Sequence, residues 1–145
     1  MRSEGFTFVE LIVVLAILAG LAALVAPSFS RTVASARLRT AASDVRSTFA
    51  RTRALAVASA RERSAVFDLS KGEFGVDNEA VRRLPETIRL GAVLRGEERQ
   101  EQGSVRVRFF SDGSGEEAEI SVTAQDGGTL RVTVDPLTGL SEAGT

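Results

Sequence analysis

The stretch that decides the reading runs from Phe6 to Ala26, FTFVELIVVLAILAGLAALVA, and only Thr7, Glu10 and Gly20 interrupt it. As an α-helix at about 1.5 Å per residue it would be roughly 30 Å long, the thickness of a bilayer's hydrocarbon core. A cleaved secretory signal has a shorter apolar stretch, of about 7–15 residues, ending in an A-x-A-like site. Here Ala16, Ala19, Ala22, Ala23 and Ala26 never stand two apart, and Pro27 follows directly. The expectation is therefore a retained membrane helix. Glu10 is its anomaly, because an ionised carboxylate deep in a bilayer costs on the order of 2.5–3.5 kcal/mol or more. Two readings carry equal weight at this point. Glu10 is a functional intramembrane charge, or it sits near the helix start, reaches the interface and favours the positive end of the dipole.

Beyond that stretch the composition excludes a good deal. The chain has 145 residues, enough for one small domain, with 18 basic and 19 acidic side chains and neither His nor Cys. There is no thiolate nucleophile, no His general base, no His/Cys zinc site and no disulfide. The net charge of −1 conceals an asymmetry. Residues 1–63 carry 9 basic and 4 acidic groups, a balance of +5, and residues 64–145 carry 9 and 15, a balance of −6. The mean hydropathy of +0.06 likewise averages two unlike parts.

Residues 28–63 read as a second kind of helix. Ala34, Leu38, Ala42, Val45, Phe49, Thr52 and Ala56 recur at steps of three and four, and Arg39, Arg46 and Arg53 flank that stripe at steps of seven. A basic helix of this kind suits nucleic acid or anionic lipid. The continuous apolar stripe favours instead an amphipathic helix packed on a sheet, its arginines solvated or paired. With the apolar stretch this predicts one helix from about residue 7 to 61, roughly 80 Å long. From Ser64 the pattern becomes β. SAVFDL (64–69), EFGV (73–76), TIRLGAVL (87–94), VRVRFF (105–110), EISVTAQ (119–125) and TLRVTVD (129–135) read as short strands. Ser70-Lys71-Gly72 and Asp126-Gly127-Gly128 are hairpin signals between them. Without βαβ crossovers the sheets are expected to be antiparallel. The polar stretch 95–104 is expected to be a mobile loop. The predicted class is α+β: a long N-terminal helix, membrane-spanning in its first half and amphipathic in its second, packed on a small antiparallel β-sandwich.

The residues Gly5-Phe6-Thr7-Phe8-Val9-Glu10-Leu11, behind the short polar leader Met1 to Glu4, form a small residue, a Phe and a Glu four positions later at the head of one apolar helix. This resembles the cleavage and methylation signal of type IV pilins and pseudopilins. The resemblance implies that a prepilin peptidase cuts between Gly5 and Phe6 and methylates the new amine of Phe6. It also implies that Glu10 pairs with the terminal amine of a neighbouring subunit in a filament, which lowers the cost of both charges in lipid, and an (i, i+4) contact within one chain is the alternative. Pro27 stands where that family commonly kinks its helix. Two features depart from the family's usual form. The leader has one basic residue, Arg2, offset by Glu4, and Arg31, Arg37, Arg39 and Arg46 follow the apolar helix, so the positive-inside count alone leaves the C-terminal part in the cytoplasm. The specific signal takes precedence over the count.

The late motifs Arg108-Phe109-Phe110-Ser111-Asp112-Gly113-Ser114-Gly115 and Val134-Asp135-Pro136-Leu137-Thr138-Gly139 resemble those of the GspH/FimT group, as do Ala36-Arg37-Leu38-Arg39 and Val66-Phe67-Asp68-Leu69. Read for themselves, the late motifs are turns, and the D-x-[DN]-x-[DN]-G pattern of a Ca²⁺ loop is missing. The resemblance implies residues 1–5 as leader, 6–27 as membrane and filament-core helix, 28–63 as amphipathic helix and 64–145 as β domain. It implies an H-type minor pseudopilin near the tip of a type II secretion pseudopilus, anchored by a single pass in the bacterial inner membrane with its C-terminal domain in the periplasm. Its partners would be the prepilin peptidase and other major and minor pseudopilins, with no cofactor and no metal. The second reading is a FimT-like minor pilin that binds DNA, for which Arg82, Arg83, Arg106, Arg108 and Arg131 are the candidate patch. An enzyme is the least favoured. Its remaining chemistry would be carboxylate pairs or Ser70 with Lys71, and Glu116, Glu117 and Glu119 look like a solvated acidic run.

Overall fold

A computed structural model describes residues 7–144, apart from the side chains of residues 23–31. The α-helix α1 covers Phe8–Ser59. Eight strands follow: β1 (Arg63–Asp68), β2 (Glu73–Val76), β3 (Arg82–Arg83), β4 (Ile88–Leu94), β5 (Ser104–Phe109), β6 (Ala118–Ala124), β7 (Thr129–Val134) and β8 (Ser141–Gly144). The chain divides into two compact units, Met1–Ala34 and Ser35–Thr145.

In the first unit, the apolar side chains of residues 8–21 are solvent-exposed, from 76% for Phe8 to 43% for Val14. The expectation that the first half of the N-terminal helix spans a membrane is corrected here. Among the described residues no helix is long and apolar enough to cross a membrane. The single-pass anchoring in an inner membrane falls with it.

In the second unit the helical stripe does what its spacing dictates. Leu38, Ala42, Val45, Phe49, Thr52 and Ala56 are buried, and the apolar ones among them join residues of both sheets in one core. The sheets are antiparallel and have four strands each, in the orders β3-β2-β1-β5 and β4-β6-β7-β8. Alternation sets their faces. On β5, Val105, Val107 and Phe109 are buried while Ser104 and Arg106 are exposed. Phe49 brings helix and first sheet together, its ring centroid lying 5.4 Å from that of Phe67 on β1 and 5.9 Å from that of Phe109 on β5. Phe67 in turn stacks on Phe74 of β2, its register partner across the hairpin.

Six strands lie where the alternation places them, give or take a residue. β3 and β8 are additions. β3 is two arginines held by Glu73 and Phe74, and β8 is Ser-Glu-Ala-Gly, without a β-branched or aromatic residue to announce a strand. The stretch 95–104, expected to be a mobile loop, is fastened to the second sheet. Gln100 exchanges both backbone hydrogen bonds with Ala92, at 2.8 and 2.7 Å, and the Arg99 guanidinium donates to Ser121 Oγ at 2.8 Å. Gly91 makes room for it. A Cβ there would lie 2.7 Å from Ser121 Oγ and 3.1 Å from Arg99 Nε.

Candidate functional site

The N-terminal signal is described from Thr7 onward, so the cleavage and methylation expected at Gly5 and Phe6 lie outside the described residues, as does the kink assigned to Pro27. Thr7 precedes α1, and its Oγ1 accepts the Glu10 N–H at 3.3 Å. Thr-x-x-Glu is the spacing of a capping box, and one of its two reciprocal bonds is made. This local signal lies inside the larger motif and is masked by it. Glu10 therefore lies in the first helical turn, where its charge favours the dipole, and its carboxylate is exposed with no partner among the described residues.

The two late motifs fold as turns that carboxylates shape from within. Asp112 Oδ1 accepts the Ser114 N–H at 2.9 Å and its hydroxyl at 2.6 Å. Asp135 Oδ1 accepts the N–H groups of Leu137 and Thr138, at 3.0 and 2.8 Å, and the Thr138 hydroxyl at 3.0 Å. Those bonds favour the charged forms and hold both carboxyls below the usual range. What the sequence did not reveal is that Arg53 joins the two turns. Its Nε donates to Gly113 O and to Thr138 O, at 2.9 Å each, so one guanidinium from the helix fastens both motifs. The seven-residue spacing of the arginines is the only trace of it, and that spacing fits a solvated flank equally well.

Glu116 departs from the expectation of a solvated acidic run. Its Oε2 accepts the Arg108 N–H at 3.1 Å, Oε1 accepts an Arg108 guanidinium N–H at 2.7 Å, and Arg95 donates to the same Oε1. The Arg108 and Arg95 guanidinium groups hold its carboxyl down at about 2 against burial. With the folded value below the unfolded one, the stabilisation is complete above about pH 4.5 and is lost as pH falls toward 2. Acid titration of stability should show a loss on the order of 2 kcal/mol through that window, and Glu116→Gln should flatten it. An unchanged acid limb in Glu116→Gln would count against this assignment.

The remaining arginines divide sharply. Each of the five named for DNA has a carboxylate partner: Arg82 with Asp44, Arg83 with Glu73, Arg106 with Asp77, Arg108 with Glu116 and Glu62, and Arg131 with Glu119. Lys71 pairs with Asp68 at 3.4 Å, and Ser70 Oγ accepts the Gly103 N–H at 3.0 Å. Ser70 and Lys71 are thereby committed to separate local contacts. Among the described residues no group of carboxylates is placed to hold a metal ion. Comparison with family models, with curated proteins and with solved structures returns no match.

Proposed function

We propose that this chain is a structural subunit of a pilin-like filament, an H-type minor pseudopilin of type II secretion. The observation that carries the reading is the combination at the N-terminus. A Gly-Phe signal with Glu10 five residues after Gly5 opens a helix whose residues up to Ala26 are nearly all apolar. The apolar side chains of residues 8–21 are exposed in the isolated chain, and a contiguous exposed apolar face marks a surface that another molecule covers. In a filament that molecule is the neighbouring subunit. The prepilin peptidase would act on the chain between Gly5 and Phe6, and the freed Phe6 amine would be the counter-ion of Glu10 in the subunit next to it. The five paired arginines weigh against the DNA-binding alternative, since phosphate neutralisation needs cations that are not already neutralised.

Glu10→Ala tests the reading. The variant should be cleaved normally, because the scissile bond and its flanking residues are unchanged. Its recovery in sheared filaments should fall at least about tenfold, the scale of an unpaired charge in an apolar contact. Incorporation of Glu10→Ala at the unsubstituted level would sink the proposal.

A further inference from the structure

The outer edge of β4 carries an opening that the filament reading does not use. Antiparallel pairing alternates, and the bonds Arg95 N–H to Glu117 O and Gln125 N–H to Thr87 O fix the phase of the β4–β6 ladder. Arg89, Gly91 and Val93 therefore turn their N–H and C=O groups toward β6, while Leu90 and Ala92 turn theirs outward. Gln100 satisfies Ala92 on that side. Two residues back, Leu90 has no such partner among the described residues, although it is only 3% exposed. The loop that should continue the pairing turns away after Gln100. Gly103 bonds instead to Leu69 and to Ser70, across from β4. Between these two attachments lies a cleft of about 780 Å³, bordered by Leu90, Arg89, Arg99, Gln102, Thr123 and Thr129. Outward peptide groups beside a polar space of that size leave an edge on which a further strand can pair.

The geometry also specifies the partner's side chains. A strand added opposite Leu90 would point that residue inward with Leu90, and point its two neighbours to the other face. On that other face stand Arg89, which is exposed and has no partner among the described residues, and Arg99, laid over Gly91. An acidic side chain already sits on the second of them. Glu101 Oε1 lies 3.3 Å from Arg99 Nε and so occupies the place of an incoming carboxylate.

We propose that the β4 edge at Leu90 is a strand-addition site for an extended peptide in which an apolar residue alternates with carboxylates. Backbone bonds to Leu90 give the affinity, and Arg89 and Arg99 select the charge. Glu101 is the internal competitor for Arg99. The site stands or falls independently of filament assembly.

The test uses the full-length ¹⁵N-labelled chain and an acetylated, amidated peptide that alternates valine and glutamate. The Leu90 and Arg89 amide signals should shift on titration. Arg89→Ala should weaken binding roughly tenfold, the worth of one charge-assisted contact. Glu101→Gln should tighten it several-fold, an effect opposite in sign to any loss of loop integrity. A peptide with glutamine in place of glutamate should bind at least tenfold more weakly. If the Leu90 amide does not respond to saturating peptide, or if the glutamine peptide binds as well as the glutamate one, the proposal is wrong.

Discussion

Phe49→Ala should destabilise the sheet-bearing unit by roughly 3–5 kcal/mol, the range for emptying a buried aromatic site. Phe49 has no exposed surface and stands where the helix meets two neighbouring strands, β1 and β5. The substitution removes tilted ring contacts to Phe67 and Phe109, each worth about 0.5–1.5 kcal/mol beyond the area it buries. The cavity lies between a helix and a sheet whose backbones are hydrogen-bonded within themselves, so it collapses poorly. Against a typical total stability of about 5–15 kcal/mol, such a loss is a large fraction of the whole. Urea unfolding followed by circular dichroism reads it directly. A loss below about 1 kcal/mol would mean that the Phe49 pocket is not the centre of this core.

Gly139→Ala should be the most damaging of the glycine substitutions, costing about 2–4 kcal/mol. Gly139 has a φ of +62°, which costs an L-residue about 1–2 kcal/mol by itself. The greater cost is steric. A Cβ at this position would fall on the Gly113 carbonyl oxygen, far inside contact, and 3.1 Å from Arg53 Cδ and Nε. Neither neighbour can yield cheaply, because the oxygen belongs to the backbone of the other turn and Arg53 is bonded to both turns. Gly127→Ala separates strain from crowding. Gly127 has a φ of +89° but nothing within 4 Å of its would-be Cβ, so it should lose only the conformational part. Equal losses at the two positions, measured by thermal unfolding, would show that the closeness of the turns carries no weight.

Much of the second unit was legible because its signals are periodic. The step of three and four from Leu38 to Ala56 marks the buried helical face, and alternation in VRVRF marks which side of β5 meets it. What stayed hidden depends on distant partners. Glu116 reads as one carboxylate of three until Arg95 and Arg108 are brought to it, and Arg53 reads as one flanking arginine among several until the turns at Gly113 and Thr138 arrive. β3 and β8 are strands by virtue of the neighbours they pair with, not of their own residues. The first unit misleads for a different reason. The apolar string from Phe6 to Ala26 dominates any hydropathy reading of this end of the chain. At the same place a four-residue cap signal at Thr7 and Glu10 is hidden within a motif that spans more of the chain.

The Arg53 bridge has a consequence for the order of events in folding. Its two hydrogen bonds join residues 60 and 85 positions apart, and they tie the helix to both ends of the β6–β7 hairpin region at once. The entropy of closing a loop rises only slowly with length, by about 0.6 kcal/mol per doubling, so the longer closure costs little more than the shorter. Both, however, require the helix and the C-terminal turns to meet across most of the unit's sequence. Local elements such as the β1–β2 hairpin can form early, whereas the two motif turns acquire their final geometry only with the last long-range encounter. A chain whose C-terminal turns have not yet been synthesised thus holds this end of its helix by apolar packing alone, without the polar tie that Arg53 makes.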